Sequence, residues 1–197
     1  MLSLEESQEN FSSPSTVSSS HESPSFQSQI KNSIQNEFNI DFIFSKYLLN
    51  ILSINKKSPD YYEKIKANKD FHFTILMKPG ISLLDYLKRI THFLKLDFST
   101  LIIAMIYIDR ICKEKIFLNE FNIHRIMIIA IYIAYIYNED KKYDNNYLSL
   151  VSGMSKDEII TLEEDFLELI EFKLFVNDEI YFLYQDYILK GYLNSNC

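Results

Sequence analysis

Apolar and polar positions run along this chain in blocks, and the longest apolar block sets the architecture. Ile126 to Tyr137 reads IMIIAIYIAYIY, twelve residues without a charge. His124-Arg125 precede it and Glu139-Asp140 follow it. Spanning a bilayer takes about 20 apolar residues, so this block is too short. A helix apolar on every side must be enclosed by protein. The pattern therefore predicts an all-α domain packed round one central buried helix.

The remaining blocks supply the helices around it. Residues 38–54 place Phe44, Tyr47, Leu48, Ile51 and Leu52 at helical spacing. A lysine-rich link broken by Ser58-Pro59 follows, then a short extended run with Phe71, Phe73, Ile75 and Leu76, stopped at Pro79-Gly80. Ser82 is expected to cap a helix with an apolar face of Leu83, Leu84, Leu87, Ile90, Phe93 and Leu94. Ser99 or Thr100 is expected to cap LIIAMIYIDRICKEK, and Asn119 the central helix, with Glu120 in its first turn. Tyr147 to Val151 gives one or two turns ended by Gly153. Ser155-Lys-Asp-Glu158 is a capping box for a helix reaching about Lys173. An apolar helix from about Asp178 to Leu189 closes the domain before Gly191. The count is five helices from residue 82 with one extra in front.

The helix after Ser155 carries more apolar surface than one core face requires. With Leu162 at 0° and about 100° per residue, Leu169, Phe166 and Ile159 fall near −20°, 40° and 60°. Ile160, Leu167 and Leu174 fall near 160°, 140° and 120°, and Glu163 near 100°, between the two sets. The apolar arc is about 180° wide. Either the second stripe is also buried in the domain, or it lies at the surface and docks another protein.

Composition narrows the function classes. Ser occurs 12 times in residues 1–35, with few large apolar groups, so that region is expected to be disordered, and 36–192 to be the folded domain with its core at 80–190. Ser13-Pro14 and Ser23-Pro24 are candidate sites for a proline-directed kinase, set against a tail with no role. Gly and Pro, 3 and 4, are too few for a sandwich or barrel. A net charge of −7 argues against a phosphate-backbone partner, so no nucleic acid is expected. Cys112 and Cys197 form neither a disulfide framework nor a zinc pattern, and no secretory signal is visible. The expected compartment is a reducing one, cytoplasm or nucleus. His72, His92 and His124 lack metal-like spacing, and no phosphate loop or nucleophile elbow is present. Neither an enzyme, a cofactor, a metal, a membrane nor a small-molecule substrate is expected. Asp109-Arg110 and His124-Arg125 read first as braces and helix starts rather than ligand contacts.

An ordered motif set then narrows the reading further. Ile81-Ser-Leu-Leu-Asp85-Tyr-Leu-Lys-Arg89-Ile90, Tyr107-Ile-Asp-Arg110, Asn122-Ile-His-Arg125, the apolar helix, Tyr143-Asp-Asn-Asn146-Tyr147 and Leu162-Glu163 stand at fixed spacing. Together they resemble the cyclin box of P-type (U-type) cyclins over about residues 38–190. The resemblance implies a regulatory subunit that binds and activates a cyclin-dependent protein kinase. It implies that the third and fifth box helices hold the kinase C-helix, with Glu163 as the contact glutamate. Tyr137, Leu167, Phe172 and Leu174 match kinase-facing apolar positions. Leu167 and Leu174 also lie on the second stripe, whereas Phe172 does not. Two positions depart from the family. Its lysine ending the third helix falls on Ile136, and its arginine partner for Asp109 falls on Gly80, leaving Lys78 or solvent to satisfy Asp109. The alternatives are a catalytically silent helical adaptor, and a cyclin-fold transcription factor, which would need two repeats and a basic face.

Overall fold

Eight helices, and no strand, run through the described residues of the computed structural model, which are 40–67, 72–139 and 144–193. The Ser-rich tail expected over 1–35, its two Ser-Pro sites, Phe71, Tyr143 and Cys197 lie outside them. The helices are α1 (Ile40–Lys56), α2 (Tyr61–Ala67), α3 (Leu83–Leu94), α4 (Phe98–Glu114), α5 (Ile123–Asn138), α6 (Asn145–Ser152), α7 (Lys156–Leu169) and α8 (Asp178–Leu193). Six helices, α3 to α8, follow residue 82 where five were expected, and two, α1 and α2, precede it where one was.

The central helix is α5. Ile126 to Tyr135 are buried without a break, because α4, α7 and α3 pack against it. Its last two apolar residues emerge: Ile136 is half-buried and Tyr137 is 52% exposed. Helix α4 is its main neighbour and is itself buried from Leu101 to Ile108.

The caps explain the helix starts, and two of them differ from expectation. Ser82 Oγ accepts from the Asp85 amide, and Ser155 with Glu158 forms a reciprocal capping box. Helix α4, however, opens after Asp97, not at Ser99 or Thr100. Starting there turns Phe98 into the core at 5% exposure, and Thr100 instead donates to Glu139. Asn119 does not cap α5. Its Oδ1 accepts from the Phe121 amide and Asn122 Oδ1 accepts from the Asn119 amide, so the two asparagines build the turn before the helix. Glu120 leaves the helix and instead meets Lys56 and the Tyr61 hydroxyl, joining α1 and α2 to that turn.

Helix α7 ends at Leu169, short of the Lys173 expected from its pattern. No glycine marks the stop. Lys115 Nζ from α4 donates to the Leu169 carbonyl at 2.9 Å and pairs with Glu171. Glu171 and Phe172 then both adopt left-handed backbone, each with φ 55°. This termination comes from a tertiary contact, which local pattern does not encode. Helix α2 was read as a link because Tyr61 is its only buried residue. Helix α8 runs through Gly191 instead of stopping before it.

Candidate docking surface

Two motif residues, Tyr107 and Arg110, act as braces that hold a segment after α7 in place. The Tyr107 hydroxyl donates to the Leu174 carbonyl at 2.7 Å. Arg110 Nη1 donates to the carbonyls of Lys173 at 2.7 Å and Phe175 at 3.1 Å. Asp109, between them, faces the other way. It accepts from the Tyr47 hydroxyl of α1 and from the Tyr184 hydroxyl of α8 at 2.6 Å. Burial and the Asp109 charge push the Tyr47 hydroxyl far above its ordinary pKa, so it stays a donor. Two tyrosines thus do what Lys78 or solvent was expected to do. Their hydroxyls were not read as donors because phenols at helical spacing look like core residues.

His124 and Arg125 brace the other end of α5. His124 Nε2 lies 3.2 Å from the Ile81 carbonyl, and burial lowers its pKa, so the ring is neutral. Its Nδ1 is buried without a hydrogen bond. Arg125 donates to the His72 carbonyl at 2.6 Å and pairs with Glu158 of α7.

That ion pair sets the register of α5 against α7. Arg125 is third in α5 and Glu158 third in α7, so the two N-termini lie together. Further along, the Glu163 carboxylate is close enough to Tyr132 to raise its pKa, after the larger effect of burial. The helices therefore run side by side in one sense, and Ile136 and Leu167 reach the same end about three turns later. Tyr137 comes close to the Tyr107 hydroxyl, which holds Leu174. The ends of α5, α7 and the segment 172–175 meet there.

All six residues assigned to partner contact lie on this side of the molecule. Leu167, Leu174, Ile136 and Glu163 are half-buried, and neither Leu167 nor Leu174 is enclosed by its own chain. Tyr137 and Phe172 are 52% and 68% exposed. Leu174 does not reach its place by continuing the helical stripe, since α7 has ended. The hydrogen bonds from Tyr107 and Arg110 put it there. Phe172 lies off the helical stripe yet is displayed by its left-handed backbone, a conformation costing on the order of 1–3 kcal/mol for a non-glycine residue. Two further apolar groups belong here and were not assigned, Ile160 at 43% and Phe175 at 73% exposure. Ile160 was on the second stripe. Phe175 sits in an irregular segment, where periodicity gives no signal.

Glu163 is the one charge set among these apolar groups. Burial, and then the neighbouring Glu164, hold its pKa above the ordinary carboxylate value. Among the described residues it makes no hydrogen bond or ion pair. No group of His, Cys, Asp or Glu among them is placed to hold a metal ion, and no helix is long and apolar enough to cross a membrane.

A family model of the cyclins matches residues 3–174. The chain belongs to the cyclin family. Its curated relatives include Cyclin-U4-3 of Arabidopsis thaliana, 40% identical over 111 residues, covering 55% of this chain and 51% of the relative. Cyclin-P4-1 of Oryza sativa subsp. japonica is 38% identical over 104 residues, covering 52% and 49%. The PHO85 cyclin-like protein psl1 of Schizosaccharomyces pombe is 32% identical over 117 residues, covering 58% and 48%. The cyclin thus spans about half the length of the curated relatives it matches. The family match takes in α5 and α7, whose C-terminal ends form the candidate surface.

Proposed function

We propose that this cyclin is a regulatory subunit that binds and activates a cyclin-dependent protein kinase through the surface at the ends of α5 and α7. The observation that carries the reading is a set of exposed apolar side chains, Tyr137, Phe172 and Phe175, with half-buried Leu167 and Leu174, extended by exposed Ile160 two turns earlier on the Leu167 face of α7. A soluble chain gains nothing from displaying them on braced backbone unless a partner covers them. The cyclin performs no chemistry itself and takes no cofactor, nucleic acid or small-molecule substrate. It binds the inward position of the kinase C-helix better than the outward one, and that difference in affinity shifts the kinase toward its active state. The PHO85 cyclin-like name of the fission-yeast relative supports a kinase partner, and the role we assign is cell-cycle or nutrient-linked division control, in cytoplasm or nucleus.

The test is Leu167→Glu in the full chain. The variant should keep its thermal transition while kinase binding and activation fall about a hundredfold or more, the range of a central interface residue. Unfolding of the variant would make Leu167 core, and unchanged kinase activation would remove the surface from the mechanism. A second reading, a silent adaptor that docks without activating, is favoured by Ile136 standing where the family has lysine. Binding without any rise in kinase turnover would support that reading instead.

A further inference from the structure

We infer that the kinase element seated on this surface presents a lysine or arginine to Glu163, supplying the cation that the cyclin itself lacks there. The inference rests on the kinase-binding reading above and adds the chemistry of the contact.

Glu163 has no hydrogen bond and no ion pair among the described residues, although it is half-buried. The cations nearest the surface in sequence are already engaged: Lys115 and Lys173 both bind Glu171, and Arg110 binds backbone carbonyls. At the end of α5 the side chain is Ile136, which donates nothing. The other acidic groups on α7 add to the negative charge, since Glu164 and Glu168 are exposed. Asp165 is matched by His72 at 2.7 Å, and Glu158 by Arg125.

Docking changes the situation of Glu163. The apolar set would exclude water when covered, and the carboxylate would lose the solvent that now stabilises it. An apolar partner surface would then leave an uncompensated buried charge, which is strongly unfavourable. A basic side chain entering between Ile136 and Leu167 meets the carboxylate in a water-poor site, where a charge-assisted hydrogen bond is strong. The same arrangement repels a partner that carries an acidic residue at that place, so it also selects among kinases.

The test uses the full-length cyclin and the purified cyclin-dependent kinase that copurifies with it from its native cells. Dissociation constants are measured at two salt concentrations, with folding of each variant checked by thermal melting. Glu163→Gln should weaken binding about tenfold and flatten its salt dependence, and Glu163→Lys should weaken it about a hundredfold. Changing one lysine or arginine of the kinase C-helix to glutamate should restore binding to Glu163→Lys only. Equal or tighter binding by Glu163→Gln overturns the inference; it would mean that neutral donors, or water, satisfy the carboxylate. Leu167→Glu separates the two readings. If it abolishes binding while Glu163→Gln does not, the cation is lost and the docking surface stands. If the wild-type chain binds no cyclin-dependent kinase, both readings fall.

Discussion

The Tyr184 hydroxyl donates to Asp109 Oδ2 at 2.6 Å, joining α8 to α4 across 75 positions of chain. Tyr47 of α1 donates to the other oxygen of the same carboxylate. One acid therefore fixes the helices at the two ends of the domain. Removing either hydroxyl, as Tyr184→Phe or Tyr47→Phe, should destabilise the fold by about 1.5–3 kcal/mol, the range for hydrogen bonds to charged groups. Urea unfolding of the single and double variants checks this. The double loss should differ from the sum, because both act on one carboxylate.

Adjacent positions on α7 should respond oppositely. Phe166 is fully buried and packs edge-on against Phe73 at 6.2 Å between ring centres. Phe166→Ala should cost about 3–5 kcal/mol of stability. Leu167→Ala should cost less than about 2 kcal/mol, because its site is already partly open. It should instead lower kinase affinity about tenfold or more. Denaturation midpoints beside binding isotherms distinguish the two outcomes.

Much of this was readable from residues alone, and the failures share a cause. The buried run in α5, the Ser82 cap and the Ser155–Glu158 box follow from period and local side-chain chemistry, and so they were legible. Local pattern cannot see Lys115 ending α7, because its ammonium arrives from 54 positions away. It cannot see the carbonyl contacts of Tyr107 and Arg110 that place Leu174, for the same reason. Asn119 misled because an asparagine before a helix serves equally well in the preceding turn. Phe172 entered only through its family match, since a side chain past the helix end has no helical angle.

The capping box offers a cleaner dissection. Glu158 both closes the box on Ser155 and pairs with Arg125. Glutamine can fill the box position as well as glutamate. Glu158→Gln should therefore keep the cap and lose only the ion pair, whereas Ser155→Ala should remove the cap at about 1 kcal/mol. Thermal melts in low and high salt separate them: the gap between wild type and Glu158→Gln should narrow with salt, and that for Ser155→Ala should not.

Acidification should act on Glu163 and Glu120 with opposite signs. The folded-state pKa of Glu163 is raised, so its ionisation opposes folding at neutral pH, and that cost is relieved as pH falls through the raised value. The folded-state pKa of Glu120 is lowered, first by Lys56, so its contribution is present above the usual 4.5 and is lost as pH falls through the depressed value. If the kinase presents a cation to Glu163 as inferred, binding should weaken over the window in which Glu163 takes up its proton. Binding isotherms from pH 7 downward should show that loss in the wild type and not in Glu163→Gln.

Cys112 should be chemically silent in the native chain. It is buried, and burial pushes its thiol far above the ordinary range. The thiolate is the reactive form. Peptide mapping after alkylation at mildly alkaline pH should find Cys112 unmodified until denaturant is added.

The paired left-handed residues at 171 and 172 set durability against recognition at one position. Glycine would hold that backbone with less strain, so a laboratory search for heat-resistant versions of this cyclin should repeatedly return Phe172→Gly. Those survivors would be sturdier molecules missing one of the aromatic rings that the proposed surface offers to a kinase. On that reading, keeping the phenylalanine keeps the grip in preference to the hardiness.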